Sequence, residues 1–391
     1  MMPPTPTHLS MSASLQSSHI KNSAVLIDAR PLAGVTGISR YAQTLIATMP
    51  QFDSTRMYQA FGWRSQVHGP QEGGIPVVSS PLPGRAIARL TKAGLGSPRW
   101  GLRGVGLFHG TSYDVPLLRH VRTIMTCHDV AFIHVPETYP SGVPEALVAG
   151  LRRMVAHVDA VAVDSAHARA DLIDHFAVDP ERVRILYPAV VDSTGSPLYF
   201  PVRRRPRGPS LRRPYFLVVG ELNPRKNLLR IVDAFRLIAE DLDCDLILAG
   251  PTGPADYAVL LEERVRSLAL DGRVHFVGSV SNTRLASLYD ASAALVCCSL
   301  YEGFGYPVAE AASRGIPVVA SNVASLPEIA GPAALYVDPR STDTIANALT
   351  RVVQDSALRA ALTAAGPGTS KRFAADTLAT SVVSLYHDLG V

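Results

Sequence analysis

The sequence predicts an α/β protein: two doubly wound Rossmann-like domains of similar size facing a cleft. Three observations carry that expectation. Short β-rich runs alternate with amphipathic helices, and the same grammar occurs twice along the chain. A segment dense in proline and arginine separates the two stretches. The 391 residues are 47% hydrophobic and only 18% charged, which is enough apolar material for two large cores and too little charge for disorder.

Taken in order, residues 1–20 have neither a positive start nor a continuous apolar stretch, so they read as a disordered tail and not as a secretory signal. Residues 21–200 form the first domain. Ala24–Asp28 is a buried-strand pattern, followed by the loop Pro31–Gly37 and a helix from Ile38 to about Met49. Strands follow at Gly106–Phe108, Thr123–Thr126, Ala160–Val163 and Arg184–Leu186, with the helix His167–Phe176 between the last two. Such alternation argues for a parallel sheet covered on both faces. Residues 201–214, PVRRRPRGPSLRRP, cannot continue a helix or a central strand and read as a basic linker.

Residues 215–372 form the second domain. Its strands are expected at Tyr215–Val219, Asp245–Ala249, Val274–Phe276, Ala293–Val296, Pro317–Ala320 and Ala334–Val337. Its helices are expected at Leu228–Glu240, Tyr257–Ala269, Arg284–Tyr289, Tyr306–Arg314 and Thr342–Val353. Residues 373–391 read as a C-terminal helix that packs back toward the first domain. In such folds ligands bind at the carboxyl ends of the strands, so the cleft between the domains is the expected site.

Composition narrows the function further. No run of 18 apolar residues exists, which excludes a transmembrane helix. Cys127, Cys244, Cys297 and Cys298 show neither CxxC spacing nor a secreted pattern, so a disulfide framework or zinc site is not expected, and the compartment reads as reducing. The net charge of +4 is carried almost wholly by arginine, with lysine only at positions 21, 92, 226 and 371. Gly73–Tyr113 contains no acid but holds Arg85, Arg89, Lys92, Arg99 and Arg103, and a second basic cluster runs from Arg203 to Arg213. These patches suit phosphate-bearing partners, anionic lipid headgroups among them, or else form a solvated loop and linker.

Two segments carry the chemistry. Ser299-Leu-Tyr-Glu-Gly-Phe-Gly-Tyr-Pro-Val-Ala-Glu310 follows a buried strand, breaks into a glycine loop and enters a helix with Pro307 in its first turn. The helix start offers unpaired N–H groups to an anion, while Glu302 and Glu310 suit paired hydroxyls on a ribose or sugar ring. The alternative is two surface glutamates beside an ordinary turn. In Val219-Gly-Glu-Leu-Asn-Pro-Arg-Lys-Asn227, Arg225 and Lys226 stand just before a helix with Asn227 as its N-cap, where their charges would meet a diphosphate.

With these segments the chain resembles the glycosyltransferases of family 4, of GT-B architecture, and within them the bacterial polysaccharide mannosyltransferases. Glu302 to Glu310 matches the E-x7-E element, and Gly315–Asn322 and Leu326–Pro339 also fit. In the N-terminal half Thr36-Gly-Ile-Ser-Arg-Tyr41, Phe108-His-Gly110, Thr126-Cys-His-Asp129 and Val163-Asp-Ser165 match in order. The resemblance implies that Lys226 and Arg225 hold the donor diphosphate, helped by Gly37 and the Gly303-Phe304-Gly305 backbone. It implies that Glu302 bonds the donor sugar, Glu310 the ribose, and that His128 reaches the sugar near the reacting carbon. Catalysis is thus assigned to His128, Glu302 and Lys226. Glu221 departs from the family, in which many members carry a basic residue after the glycine.

The reaction so implied is retaining transfer of a hexosyl group, mannose from GDP-mannose first among donors, onto a lipid-linked oligosaccharide. It needs no metal and no cofactor beyond the donor, and no nucleic acid is involved. The enzyme would work at the cytoplasmic face of an anionic membrane, through Arg85, Arg89 and Lys92. A rhamnosyl, fucosyl or glucosyl donor, or a non-catalytic nucleotide-binding module, remains compatible. Asp241-Leu-Asp243 and Asp243-Cys-Asp245 formally give a metal-binding D-x-D but read as solvated loop acids. His109 reads as structural, and Asp129 either orients its loop or accepts a proton in place of His128. The first strand lacks the GxGxxG turn of an epimerase.

Overall fold

The computed structural model describes residues 24–33, 36–63, 75–80, 104–118, 120–190 and 213–391. The tail, Arg85, Arg89, Lys92 and linker residues 201–212 lie outside these. Two parallel sheets organise the rest. The first contains β1 (Ala24–Asp28), β2 (Met57–Trp63), β3 (Val77–Ser80), β4 (Val105–Gly110), β5 (Arg122–Cys127), β6 (Ala160–Val163) and β7 (Val183–Ile185), in the spatial order β3-β2-β1-β4-β5-β6-β7. β1 is buried at every residue, as a strand covered on both faces must be. Its order reverses between β1 and β4, so the crevice at their carboxyl ends is a switch point.

Helices α1 (Gly37–Phe52), α2 (Ala131–His134), α3 (Val143–Val155) and α4 (Ala166–Phe176) belong to this half. The Thr36 hydroxyl accepts from the Ser39 N–H while Ser39 reaches back to the Thr36 N–H, so α1 begins at Gly37, one residue before the expected start at Ile38. Tyr41, Leu45, Ile46 and Met49 then fall on one buried face.

The second sheet runs β8 (Tyr215–Val219), β9 (Asp245–Ala249), β10 (Val274–Gly278), β11 (Ala294–Cys297), β12 (Val318–Ser321) and β13 (Ala334–Val337), in the order β10-β9-β8-β11-β12-β13. The reversal recurs between β8 and β11. Around it lie α5 (Leu228–Ile238), α6 (Ala255–Ser267), α7 (Asn282–Ala291), α8 (Tyr306–Ser313), α9 (Leu326–Ala330), α10 (Thr342–Gln354) and α11 (Ser356–Ser370). Each switch point thus opens onto the space between the sheets.

The last helix, α12 (Ala375–Asp388), packs Leu378, Val382, Leu385 and Tyr386 into the core that holds Val25, Ile27, Tyr41 and Leu45. The Tyr386 hydroxyl lies 2.8 Å from His109 Nδ1, and Arg56 Nη2 donates to the Val391 oxygen at 2.6 Å. The chain's final residues are therefore part of the first core.

Candidate active site

β8 ends at Val219 and the chain turns through a short 3-10 helix, Pro224–Lys226, before α5. The residue that caps this turn is Asn223, whose side chain accepts from the Lys226 N–H at 3.2 Å. Asn227 is not the side-chain cap that its position suggests. It lies in the left-handed region, and its amide donates to the carbonyls of Cys298 at 3.0 Å and Pro339 at 2.6 Å. It ties the β8 loop to the β11 loop and so fixes where the next two side chains stand.

Those two are Arg225 and Lys226, and both reach Glu302. Lys226 Nζ lies 2.7 Å from Glu302 Oε1 and Arg225 Nη1 lies 3.1 Å from Oε2. Arg225 also donates to the Tyr301 carbonyl at 2.8 Å, and the Ser299 hydroxyl to Glu302 Oε1 at 2.7 Å. Glu302 is only 6% exposed, so it is no surface glutamate. Burial pushes its carboxyl up, but Lys226 and Arg225 outweigh burial and hold it down to about 2. A carboxyl depressed from the usual 4.5 stabilises the fold above that ordinary value and loses the contribution as pH falls toward 2. Acid unfolding followed by circular dichroism should therefore show an added limb between those values that Glu302→Gln removes. An unchanged acid profile in that variant would refute the pairing.

Glu310, also buried, lies in the second turn of α8. Its Oε1 is 2.5 Å from Arg40 Nη2, and Oε2 accepts from the Tyr289 hydroxyl at 2.7 Å. Arg40 comes from α1 in the other half and lies over the Tyr306 ring, 4.8 Å from its centroid. A Cβ on Gly37, at the start of α1, would stand 3.3 Å from the same ring.

His128 follows β5. Its Nδ1 lies 2.7 Å from Asp164 Oδ2 and its Nε2 2.9 Å from the Thr111 carbonyl. A carbonyl only accepts, so Nε2 carries a proton. Burial lowers the imidazole's basicity, but Asp164 and the Thr111 carbonyl raise it further, so the pKa stands above its ordinary value. The ring is a hydrogen-bond donor at Nε2 and not a free base. Among the described residues, Asp164 Oδ1 and the Tyr306 hydroxyl are buried without a hydrogen-bond partner.

The glycine loop joins these groups. Gly303 lies against the His128 backbone: a Cβ there would fall 1.9 Å from the His128 carbonyl oxygen, so no other residue fits without parting the halves. Its carbonyl accepts from Ser165 Oγ at 2.7 Å. Gly305 precedes α8, whose first turn contains Pro307. Phe304 was expected to contribute its backbone N–H to the donor site, and its side chain is core. It is 4% exposed and meets Tyr306 and Phe373 edge-on, at 5.2 and 5.1 Å between centroids.

The remaining candidates separate cleanly. His109 is fully buried, and burial lowers its pKa to about 3, so it is a neutral core residue. Asp129 Oδ1 accepts from the Ala131 N–H at 3.1 Å and so orients the turn into α2. Asp245 is not the solvated acid expected of the D-x-D. It is buried at the amino end of β9 and pairs with Arg273 at 3.2 Å and His275 at 3.1 Å. Asp243 pairs with Arg213 at 2.5 Å. Glu221 is exposed and accepts from the Asn223 amide at 3.1 Å.

Four residues given no role from sequence also matter here: Arg40, Asp164, Ser165 and Glu328. Glu328 accepts from the Ala166 N–H at 2.8 Å and the His167 N–H at 3.1 Å, capping α4 from the opposite half. All four lie inside quoted motif segments. Their partners are distant in sequence, which is why spacing alone does not assign them.

The family pattern described as "Glycosyl transferases group 1" matches residues 201–368, and "Glycosyltransferase Family 4" matches residues 35–194. The chain belongs to this family of glycosyltransferases. The enzyme is 28% identical over 377 residues to "O-antigen chain mannosyltransferase B" of Escherichia coli, covering 90% of this chain and 96% of that one. It is 29% identical to an O-antigen chain mannosyltransferase of Salmonella typhimurium over 62% of this chain and 64% of that protein. Among solved structures, sucrose-phosphate synthase of Thermosynechococcus elongatus superposes with a TM-score of 0.75 at 21% identity, over 94% of this glycosyltransferase and 99% of that chain. An Anabaena protein solved with UDP-glucose gives 0.70 at 17% identity, over 93% and 99%. These two likenesses establish the GT-B fold alone.

Proposed function

We propose that this glycosyltransferase moves mannose from GDP-mannose onto a lipid-linked oligosaccharide, with retention of configuration, in the assembly of a bacterial surface polysaccharide. The observation that carries the reading is the meeting of Lys226, Arg225 and Glu302 at the switch point of the second sheet, beside the N-terminus of α8. The names of the two O-antigen chain mannosyltransferase relatives support the choice of mannose and of a surface-polysaccharide acceptor.

As the anomeric bond loosens, positive charge builds on the sugar and negative charge on the departing diphosphate. Lys226, Arg225 and the α8 N–H groups would stabilise that diphosphate more in the transition state than in the ground state. His128, whose Nε2–H is held by the Thr111 carbonyl, would exchange that bond for a sugar hydroxyl. The leaving phosphate would take the acceptor proton on the same face. Glu302 would exchange part of its ion pairing for sugar hydroxyls, and Glu310 would accept from the ribose.

The deciding assay measures GDP release from GDP-mannose with and without a lipid-diphosphate-linked glycan, against UDP-glucose and other nucleotide sugars. Release that depends on that acceptor and prefers GDP-mannose is expected. Preference for UDP-glucose would overturn the mannosyl assignment. Two fixed cations do for the diphosphate what a divalent ion does elsewhere, so transfer should persist in EDTA. Loss on chelation with rescue by magnesium would refute that part.

No helix among the described residues is long and apolar enough to cross a membrane. A lipid-linked acceptor then requires docking at the cytoplasmic surface, and the acid-free segment with Arg85, Arg89 and Lys92 is the proposed contact. Each such charge contributes about 1 kcal/mol at an anionic surface. Changing all three to glutamate should abolish co-sedimentation with anionic vesicles and leave GDP binding intact. Unaltered sedimentation would move the contact elsewhere.

A further inference from the structure

Away from the Lys226–Glu302 cluster, α4 carries His167, Asp171 and His175 at four-residue intervals, which aligns them on one helix face. His134, the last residue of α2, meets them. Asp171 Oδ2 lies 3.0 Å from His134 Nε2 and 3.3 Å from His167 Nε2. One ring nitrogen each from His134 and His175 and a carboxylate oxygen of Asp171 all lie within 4.8 Å of one another. The rings of His134 and His175 meet edge to face, 5.2 Å between centroids. Asp171 is buried, whereas His134 and His175 are exposed, so the carboxylate closes the back of the group and its front is open.

Imidazole nitrogens with a carboxylate oxygen are a donor set that zinc takes at about 2.0–2.2 Å. Tetrahedral ligation at those lengths brings donor atoms to roughly 3.4 Å apart. Inward rotation of the two exposed imidazoles toward the buried carboxylate would close the gap. The Tyr301 hydroxyl donates to Asp171 Oδ2 at 2.5 Å, and its ring stacks on His134 at 5.0 Å with 14° between planes. An outer-shell donor of this kind orients a ligating carboxylate.

We propose that His134, Asp171 and His175, with His167 in reach as a fourth ligand, bind one divalent transition-metal ion of the zinc class. This ion takes no part in glycosyl transfer. Its neighbour Tyr301 immediately precedes Glu302, and its carbonyl holds Arg225. The ion would therefore brace the contact between α4 and the loop after β11, and transfer in EDTA remains compatible with it.

The test uses the full chain, stripped with EDTA and exchanged into chelator-free buffer. Zinc is titrated by calorimetry and by thermal unfolding, and cobalt by visible absorption. One ion per chain is expected, with a rise in Tm and tetrahedral cobalt bands. Asp171→Asn should weaken zinc at least about tenfold. Because that variant loses a buried partner of Tyr301, the pair His134→Ala and His175→Ala, both at exposed positions, provides the second arm. It should abolish the stoichiometric site while GDP binding persists. No zinc uptake at about 100 μM by wild type, or the same uptake and cobalt spectrum in the double variant, overturns the proposal.

Discussion

Lys226→Ala should lower turnover by roughly 30- to 1,000-fold, the equivalent of about 2 to 4 kcal/mol of barrier for a lost charge-assisted contact to the leaving group. It should also destabilise the fold, because Lys226 is the nearest partner of a buried carboxylate, at 2.7 Å. Glu302 would keep Arg225 and the Ser299 hydroxyl, so the cost is about 1 to 3 kcal/mol and not that of a wholly unpaired buried charge. A second substitution separates the two roles. Lys226→Met combined with Glu302→Gln removes the charge pair while roughly keeping its volume, and stability in urea should largely return. Turnover should not. If the double variant recovers both together, neither Lys226 nor Glu302 is needed for transfer, and the phosphate role and the sugar role are both wrong. Full activity in Lys226→Ala would refute the phosphate role.

The elements that were legible are those in which one signal dominates. Ala160–Val163, Tyr215–Val219, Asp245–Ala249 and Ala334–Val337 are uninterrupted apolar or near-apolar runs and appear with the bounds that pattern gives. β2 and β3 were not legible. β2 begins at Met57, which is 59% exposed, and carries Gln59 and Gly62, so its pattern is neither continuous nor alternating. α11 was masked by Gly366 and Pro367 inside it. The structure supplies the reason for the glycine: a Cβ there would lie 2.2 Å from the Ala312 carbonyl, so α8 and α11 approach at backbone distance. Local propensity gives way there to a tertiary contact.

The site divides in the same way. Residues whose placement follows from their own loop, Arg225, Lys226, Glu302 and Gly303, were legible as groups at strand ends because strand, turn and helix lie together in sequence. Residues whose role is a partner were not. Asp164 acquires its role from His128, 36 residues earlier, and Glu328 caps a helix 161 residues away. Phe304 shows the converse, a residue inside a functional motif whose side chain belongs to the core.

Arg40→Ala and Glu310→Gln should change nucleotide affinity in opposite directions. The carboxylate oxygen that would accept from ribose hydroxyls, Glu310 Oε1, is held by Arg40 at 2.5 Å. The other oxygen accepts from Tyr289. A ribose must displace Arg40 to bond Oε1, so the two compete for one acceptor. Removing Arg40 leaves Glu310 buried and still oriented by Tyr289, and the acceptor is then open. GDP should bind Arg40→Ala more tightly than wild type. Glu310→Gln keeps shape but replaces a charged acceptor by a neutral amide, which costs about 1.5 to 3 kcal/mol for hydrogen bonds of this class, or roughly 10- to 150-fold in Kd. Calorimetric titration of GDP into each variant reads both numbers directly. The Arg40–Glu310 pair also joins α1 of one half to α8 of the other, and that role predicts something different. As a bare inter-domain clasp, its loss from either side would change affinity alike. Equal weakening in the two variants would therefore sink the ribose assignment and leave Glu310 as a structural acid.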